Sequence, residues 1–359
     1  EMKKLEEKIK LYEEILTNPD KLNSVIKEDL RKIKKEYGIP RRTEIREELE
    51  EIKVDTTRMI PKEQVVVVVT NEGYIKKVPQ RSYNTAKEEE TTLKENDYVT
   101  GLYNITTTDT LLLFTNLGNY LYLPVYDIPE VKWKELGKHI SNIISLSPEE
   151  KVINSIPVYN FDEERYITSF TKNGMVKRTL LNEFKVQRYS KPIKMMNLKG
   201  TDEVISVTDS TLSNVFIATS NGYGLWYDIN EVPVVGIKAA GVKAISLKDD
   251  YVVSGILFDV ASEYLTILTD KGTAKRMRLT ELEKTSRAKR GILLMKTIKS
   301  NPSKIIKAYI INSKNQIGIV SDDYSKIVKL TEISIMDRYS NGSYIIKDRI
   351  IDSYIVSEL

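Results

Sequence analysis

Two stretches of this sequence repeat one pattern: "SFTKNGMVKRTLLNEF" at 169–184 and "ILTDKGTAKRMRLTELE" at 267–283. Each runs from apolar residues through Thr-x-x-Gly to a second apolar step, a basic pair and then an acidic residue. Glycine supplies the positive φ that a tight hairpin turn demands, and the flanking β-branched and aromatic residues favour strands. The pattern therefore predicts a β-hairpin that is followed by a basic cluster.

This hairpin pattern occurs six times from residue 54 onward, at intervals of 45 to 56 residues. The turn residues are Gly73, Gly118, Gly174, Gly222, Gly272 and, in the sixth copy, Tyr324, which predicts a different turn there. Charged turns such as "LKENDYV" (93–99) separate the hairpins, so that each repeat contributes about four strands. Four-stranded units at this period are typical of blades around an axis. We expect an all-β, six-bladed propeller-like disc, with the apolar tail "IIDSYIVSEL" (350–359) pairing with the first blade.

Residues 1–53 predict a short N-terminal α-helical hairpin and a charged connector. Apolar residues recur there at helical spacing, and Asn18-Pro19 is suited to cap and begin a second helix. The stretch holds 14 basic and 14 acidic side chains, a balance typical of solvated helices. We therefore predict a helical domain at 1–53 and a disc at 54–359.

Composition excludes several classes of function. No apolar run is long enough to span a bilayer, no secretory leader is evident, and the absence of Cys fits a cytoplasmic protein. No GxxxxGK[ST] phosphate-binding loop occurs, and His139 is the single histidine, so we interpret it as structural. We predict no catalytic residue and no metal site in this chain.

Basic residues concentrate in two copies of the repeat. Residues 165–199 hold nine Lys or Arg against one Glu, and residues 271–299 hold ten against two acidic residues, whereas residues 223–246 are balanced. Equivalent hairpins place these clusters at one level of the rim, and a basic arc on a curved surface is typical of binding to duplex DNA phosphates. The candidate DNA-binding residues are Lys76, Lys77, Arg81, Lys177, Arg178, Arg188, Lys191, Lys194, Lys275, Arg276, Arg278, Arg287, Lys289 and Arg290.

Two other functions fit a propeller. It could be a protein-interaction scaffold whose basic arc faces an acidic partner, or a hydrolase with its site in a central channel. The hydrolase would need converging His, Asp or Glu residues, which one His makes difficult. For DNA binding, we expect Lys177, Arg178, Lys275, Arg276 and Arg278 to contribute more than Lys238 or Lys243, which lie outside the dense clusters.

The six-fold repeat, "EYGIPRRTEI" (36–45) and "VVVVVTNEGYIKK" (65–77) resemble the C-terminal region of the A subunits of bacterial type IIA topoisomerases, DNA gyrase and topoisomerase IV. In this resemblance residues 1–53 correspond to the end of the breakage-reunion region. An Arg/Gly-rich box follows the first gyrase hairpin, whereas "PQRSYNTAKEEETT" (79–92) keeps only Gln80 and Arg81 of it. The topoisomerase IV branch is therefore favoured, with gyrase as the alternative.

The resemblance implies a strand-swapped blade arrangement called a β-pinwheel. It also implies sequence-independent binding and bending of duplex DNA, which the whole enzyme uses for ATP-dependent strand passage in decatenation and relaxation. Magnesium, ATP, a homodimer of A subunits and an ATPase B subunit belong to that whole enzyme, which acts at the nucleoid in the cytoplasm. This fragment would lack the catalytic tyrosine, bind no cofactor and be monomeric.

Overall fold

The computed structural model describes residues 1–40, 60–86, 90–296 and 298–358. The chain divides into two compact units, Glu1–Asp55 and Thr56–Leu359. The predicted charged connector and the predicted boundary after residue 53 lie outside the described residues.

The first unit contains the two predicted helices, α1 (Met2–Thr17) and α2 (Pro19–Tyr37). The Asn18 side chain accepts hydrogen bonds from the backbone N–H groups of Asp20 (3.0 Å) and Lys21 (3.4 Å). Asn18 is thus the N-cap of α2 and Pro19 its first residue, where a missing N–H costs nothing. No residue of these two described helices is buried.

Among its described residues, the second unit contains hairpins, each followed by a third strand, and one short helix, α3 (Gln80–Ala86). In blade order the strands are β1 (Gln64–Thr70), β2 (Tyr74–Pro79) and β3 (Val99–Thr106); β4 (Thr110–Thr115), β5 (Asn119–Pro124) and β7 (Val152–Val158); β8 (Tyr166–Thr171), β9 (Met175–Leu180) and β11 (Val204–Thr208); β12 (Asn214–Thr219), β13 (Tyr223–Asp228) and β15 (Val252–Phe258); β16 (Tyr264–Thr269), β17 (Thr273–Arg278) and β19 (Ile305–Tyr309); and β20 (Gln316–Ser321), β21 (Ser325–Lys329) and β23 (Ile350–Ile355). Two-residue strands lie between them: β6 (Lys138–His139), β10 (Ile193–Lys194), β14 (Val242–Lys243), β18 (Ile292–Leu293) and β22 (Ser343–Tyr344).

Each short strand belongs to one repeat but pairs with the blade before it. The first sheet has the order β3-β1-β2-β6, although β6 follows the hairpin of the second repeat, and the next four sheets are built in the same way. The sixth sheet, among the described residues, has three strands in the order β21-β20-β23. The prediction of a six-bladed disc is confirmed, and the exchanged strands give the pinwheel arrangement.

The predicted pairing of the tail with the first blade is wrong. Strand β23 pairs with β20 of the sixth blade, with Ile319 opposite Ser353. It fills the place that the third strand fills in every other blade, and apolar character alone could not specify that partner. The tail reaches the first blade through side chains: the Tyr98 and Tyr354 rings stack at 3.9 Å, and the Tyr98 hydroxyl donates to Asp352 Oδ2 at 2.6 Å.

The apolar core lies between successive blades. Residues of β1 and β4, such as Val67 and Leu113, share the first cluster, and four similar clusters join the blades that follow. The other face of the first blade packs on Trp133, whose ring meets the ring of Tyr83 edge-on at 5.0 Å. Helix α3, which carries Tyr83, therefore covers this face of the first blade.

The charged turns fasten the hairpins to the strands that follow them. Asp97 Oδ1 accepts a hydrogen bond from Glu72 N–H in the first hairpin turn, at 2.9 Å. Asp202 and Asp250 accept the same bond from the third and fourth turns, at 2.8 and 2.9 Å. The hairpin glycines have φ between +72° and +91°, as predicted.

Candidate nucleic-acid interface

Five segments connect a hairpin to the short strand at the outer edge of the preceding blade. Each begins at a 3₁₀ turn, and we call them crossovers 2 to 6 after the repeat they leave. They comprise residues 125–139, 181–194, 229–243, 279–293 and 330–344. Because every short strand pairs with the outer strand of a blade, the crossovers run along the rim.

Hydrogen bonds join crossovers 3 to 6 into one continuous belt. In crossovers 3, 4 and 5, the Glu of the 3₁₀ turn accepts a bond from a backbone N–H of the next crossover. The bonds are Ile237 N to Glu183 Oε2 (2.8 Å), Arg287 N to Glu231 Oε2 (2.7 Å) and Arg338 N to Glu281 Oε2 (2.8 Å). Since the same atoms meet at each step, equivalent side chains lie at one level of the belt.

The belt is basic along part of its length. Crossover 3 holds four basic residues and one acidic residue, crossover 4 two and one, and crossover 5 four and two. Crossover 2 is balanced at three of each, and crossover 6 holds one basic residue and two acidic residues. A positive arc therefore extends over crossovers 3, 4 and 5.

Three predicted DNA-binding lysines are buried at the same position of the second hairpin strand: Lys76, Lys177 and Lys275 in the first, third and fifth blades. The Lys177 ammonium donates to the carbonyl oxygens of Met195 and Ile237, both at 2.6 Å. The other two ammonium groups donate to carbonyl oxygens of the incoming crossover in the same way. These lysines fasten crossovers to blades, and burial removes them from the candidate phosphate contacts.

Burial also changes the protonation of these lysines. The pKa of Lys76, Lys177 and Lys275 is lowered to about 8 in each case, because the charged ammonium loses its hydration in the interior. Nearby acidic groups, Glu135, Glu183 and Asp337 respectively, oppose the lowering of the pKa.

The next basic residue of each pair also contacts protein. Lys77 and Arg276 are buried, and Arg178 is half-buried. The bonds are Lys77 Nζ to Tyr126 O (2.8 Å), Arg178 Nε to Val232 O (2.9 Å) and Arg276 Nε to Ile333 O (2.8 Å). Each of these bonds holds the start of the next crossover to the blade. Burial therefore also removes Lys77 and Arg276 from the candidate phosphate contacts.

Seven predicted residues are exposed: Arg81, Arg188, Lys191, Lys194, Arg278, Lys289 and Arg290. All of them lie on crossovers 3 and 5 except Arg278, which directly precedes crossover 5, and Arg81, which lies on α3. Arg287 is half-buried and bridges two crossovers, because it donates to the carbonyl oxygens of Glu231 (2.8 Å) and Lys243 (2.5 Å). The belt therefore carries the exposed part of the predicted site.

The predicted site left out four exposed basic residues of the belt, Lys185, Lys238, Lys243 and Lys284. Lys243 is the second residue of its short strand, the position that Lys194 holds in the preceding crossover. We expected five clustered residues to contribute more to DNA binding than Lys238 and Lys243. Four of the five, Lys177, Arg178, Lys275 and Arg276, are buried or half-buried, so the structure gives no basis for that expectation. A glycine before the short strand, such as Gly241, is the signal that could have aligned these positions.

The centre of the disc holds a cavity of about 730 Å³ that His139, Glu150 and Asp352 help to line. Glu150 Oε1 accepts from the Thr115 hydroxyl at 2.6 Å, and His139 Nε2 lies 2.9 Å from Glu72 O. Within the described ranges, no three His, Cys, Asp or Glu side chains could hold a metal ion together. These engaged side chains give no support to a hydrolase site.

No described helix combines the length and apolar character that a bilayer crossing requires.

The architecture defines the chain as a β-propeller with exchanged outer strands and a partly basic rim. Comparison with protein families identifies it further: the model of the DNA gyrase C-terminal domain, β-propeller, matches residues 64–87, 109–158, 165–208, 213–258 and 263–312. The chain belongs to this family.

Two curated relatives are A subunits of topoisomerase IV. The DNA topoisomerase 4 A subunit of Bacillus subtilis (strain 168) is 42% identical over 347 residues, which cover 96% of this chain and 43% of that protein. The protein of the same name from Staphylococcus epidermidis is 37% identical over 350 residues, 96% of this chain and 44% of the relative. The chain thus spans less than half the length of these relatives.

Solved structures show the same fold. A crystal structure of the C-terminal domain of DNA topoisomerase IV has a TM-score of 0.80 and 40% identity, covering 83% of this chain and 94% of the other. A structure of the DNA gyrase A C-terminal domain has a TM-score of 0.62 and 18% identity, covering 82% of this chain and all of the other.

Proposed function

We propose that the disc binds duplex DNA without sequence preference, through phosphate contacts along crossovers 3, 4 and 5. The observation that carries the proposal is the continuous belt, which presents five of the seven exposed predicted basic residues at one rim. Binding would release counterions, so its affinity depends steeply on salt. Duplex following a curved rim must bend, at a cost of about 1–6 kcal/mol per 20–30 base pairs that further phosphate contacts offset.

The side chains best placed for these contacts are exposed and have no acidic partner among the described ion pairs. They are Lys185, Arg188, Lys191, Lys194, Lys238, Lys243, Arg278, Lys289 and Arg290. Lys284 on crossover 5 differs from them, because its ammonium lies 2.7 Å from Asp228 Oδ2. That ion pair would have to be broken before Lys284 could contact a phosphate.

A salt titration of duplex binding tests the proposal. The triple variant R188A/K191A/K194A should bind a duplex of about 60 base pairs more weakly, with the slope of log K against log salt reduced by up to about 2.7, or about 0.9 per lost phosphate contact. The matched control is K199A/K248A/K314A, which removes three exposed lysines of the disc that lie outside the crossovers. Equal losses in the two triple variants would contradict the belt.

The whole-protein role follows from the relatives. We propose that this chain is part of the A subunit of a topoisomerase IV, where it presents bent DNA for strand passage in decatenation and relaxation. Magnesium, ATP, the B subunit, the A-subunit dimer and the cytoplasmic nucleoid belong to that proposal, with gyrase as the alternative. Support comes from the 37–42% identity to topoisomerase 4 A subunits. Decatenation by the full-length protein with its B subunit should fall in the belt triple variant and not in the control.

A further inference from the structure

The last crossover carries tyrosine at a position where crossovers 3 and 4 carry lysine, crossover 2 carries His139 and crossover 5 carries Leu293. Tyr344 is the second residue of β22, the position of Lys194 in β10 and of Lys243 in β14. Its side chain is 74% exposed, which is high for an aromatic residue in a strand. DNA that follows this level of the rim would therefore pass from Lys194 and Lys243, by way of Leu293, to an aromatic ring.

Crossover 6 exposes two other apolar side chains, Ile335 and Tyr339, and β21 exposes Ile327; we call these three residues and Tyr344 the aromatic patch. Tyr339 is 60% exposed, and the Arg338 guanidinium lies 4.7 Å from its ring centre. Lys326, the neighbour of Ile327, reaches to 3.5 Å from the carbonyl oxygen of Ile345, next to Tyr344. The patch thus has two basic residues at its border, and crossover 6 also carries the acidic residues Glu332 and Asp337.

The aromatic patch continues the belt. Crossover 6 is fastened to crossover 5 by the bond from Arg338 N–H to Glu281, and Tyr339 O accepts from Lys296 N–H at 3.2 Å. The patch also borders β21, the outer strand of the sixth blade, with which no described short strand pairs. Nothing in the described residues covers the patch at this end of the belt.

We infer that duplex DNA running along the belt meets the aromatic patch at its end, where the two tyrosines make apolar contacts with deoxyribose and base edges in the minor groove. This inference rests on the proposed function. Apolar side chains that press on a base step unstack it partly and bend the duplex, which brings more backbone onto a curved surface. Arg338 and Lys326 would hold the flanking phosphates while the patch acts on the groove.

Salt dependence separates the aromatic patch from the belt. Removing rings changes no charge, so Y339A/Y344A should weaken binding of a 60-base-pair duplex about tenfold at every salt concentration, with the slope unchanged. The conservative variant Y339F/Y344F should retain the affinity. The control Y159A/Y251A removes two exposed tyrosines of the disc outside the crossovers and should have no effect.

Two outcomes would overturn the inference, and both are distinguishable from failure of the proposed function. Unchanged affinity in Y339A/Y344A, while the salt slope of the belt triple variant is reduced, would leave DNA on the belt and remove the patch from the contact. A loss in Y339A/Y344A equal to that in Y159A/Y251A would show a nonspecific effect. If the belt triple variant binds duplex DNA like the wild type, the proposed function is contradicted, and the inference that rests on it is contradicted too.

Discussion

Lys177 and Lys194 lie in one basic cluster of the sequence, yet they have different structural roles. The ammonium of Lys177 is buried and fastens the chain to itself, whereas the side chain of Lys194 is exposed on the belt. In the second and fourth blades the buried position holds Leu121 and Leu225, which need no partner. A lysine at this position therefore costs desolvation, and it stabilises the fold only through the carbonyls that it satisfies.

The methionine variant K177M tests this role. It should lower the free energy of unfolding by about 3 kcal/mol, because buried carbonyl oxygens lose their donor at about 1–3 kcal/mol each. The matched control L225M places the same residue at the equivalent position of the fourth blade and should cost less than about 1.5 kcal/mol. Chemical denaturation followed by tryptophan fluorescence measures both, since the chain has two Trp.

The same pair of proteins gives a pH test. The pKa of Lys177 is lowered from 10.5 to about 8 in the folded chain, so above pH 8 the unfolded chain binds more protons there than the folded chain does. Stability that depends on this group therefore rises between about pH 8 and 10.5. The difference in free energy between wild type and K177M should widen over that range. A narrowing difference would mean that the folded protein favours the charged ammonium.

Residue patterns could not separate the buried lysines from the exposed ones. In a strand with one solvent-exposed face, alternate residues point to solvent, so an adjacent Lys-Arg pair places one of its two charged groups in solvent. A propeller blade is covered on both faces, so Lys275 and Arg276 are both buried although they are adjacent. The number and position of the hairpins were predictable from the sequence, but the orientation of these charges depends on neighbouring blades.

The hairpin turn is an element with two functions. Besides its positive φ, the turn glycine presents its carbonyl oxygen to the crossover that arrives from the next repeat: Gly118 O accepts from the N–H groups of Met195 (2.9 Å) and Met196 (3.0 Å). The sixth turn receives no described crossover, and Ser321 N–H bonds to Tyr324 O instead. This explains why the sixth copy can dispense with glycine.

Alanine at Gly118 should therefore cost more than backbone strain. A Cβ there would lie 2.7 Å from the carbonyl oxygen of Met196, whereas at Gly200, also at positive φ, it would meet nothing within 4 Å. G200A should cost about 1 kcal/mol of unfolding free energy for its left-handed backbone, and G118A at least about 2 kcal/mol. Denaturant titrations of both variants measure the difference. Hydrogen exchange at Met195 and Met196 should accelerate in G118A alone. If G118A and G200A lower the free energy of unfolding equally, without that acceleration, the turn glycine does not hold the crossover.

The repeat pattern could not predict that short strands are exchanged between blades. Spacing of hairpins indicates blades, but a two-residue strand such as β14 carries too little apolar pattern to reveal its partner. The positive-φ glycines Gly137, Gly241, Gly291 and Gly342, each directly before a short strand, mark these strands once the fold is known. Crossover 3 has Pro192 at that place, so even this signal is incomplete.

At the scale of the whole molecule, one junction differs from the other five. Successive blades share an apolar cluster and an exchanged strand, but no described strand of the first repeat pairs with β21 of the sixth blade. The chain after β2 forms α3 instead of a crossover, and Lys326 and Lys329 on β21 discourage pairing with other strands. The stacked rings of Tyr98 and Tyr354 and the bond from Tyr98 to Asp352 cross this junction.

Opening of this junction should respond to loss of the Tyr98 hydroxyl. Y98F removes a hydrogen bond to a carboxylate, worth about 1.5–3 kcal/mol, and Y98A removes the ring stacking as well. Because the chain has no Cys, spin labels can be attached through E95C in the first blade and K347C near β23. The distance distribution between the labels should broaden in Y98F and further in Y98A.

The control for this experiment is a hydroxyl at a junction that an exchanged strand secures. Tyr103 donates to the carbonyl oxygen of Ser155 at 2.7 Å, between the first and second blades. Y103F should therefore lower stability without broadening the distance between the labels at Glu95 and Lys347. If the distribution is as narrow in Y98A as in Y103F, side-chain contacts of Tyr98 do not close the disc. Broadening confined to the Tyr98 variants would show that one residue determines whether the rim is a closed circle or an open arc, and hence the path along which bound DNA can bend.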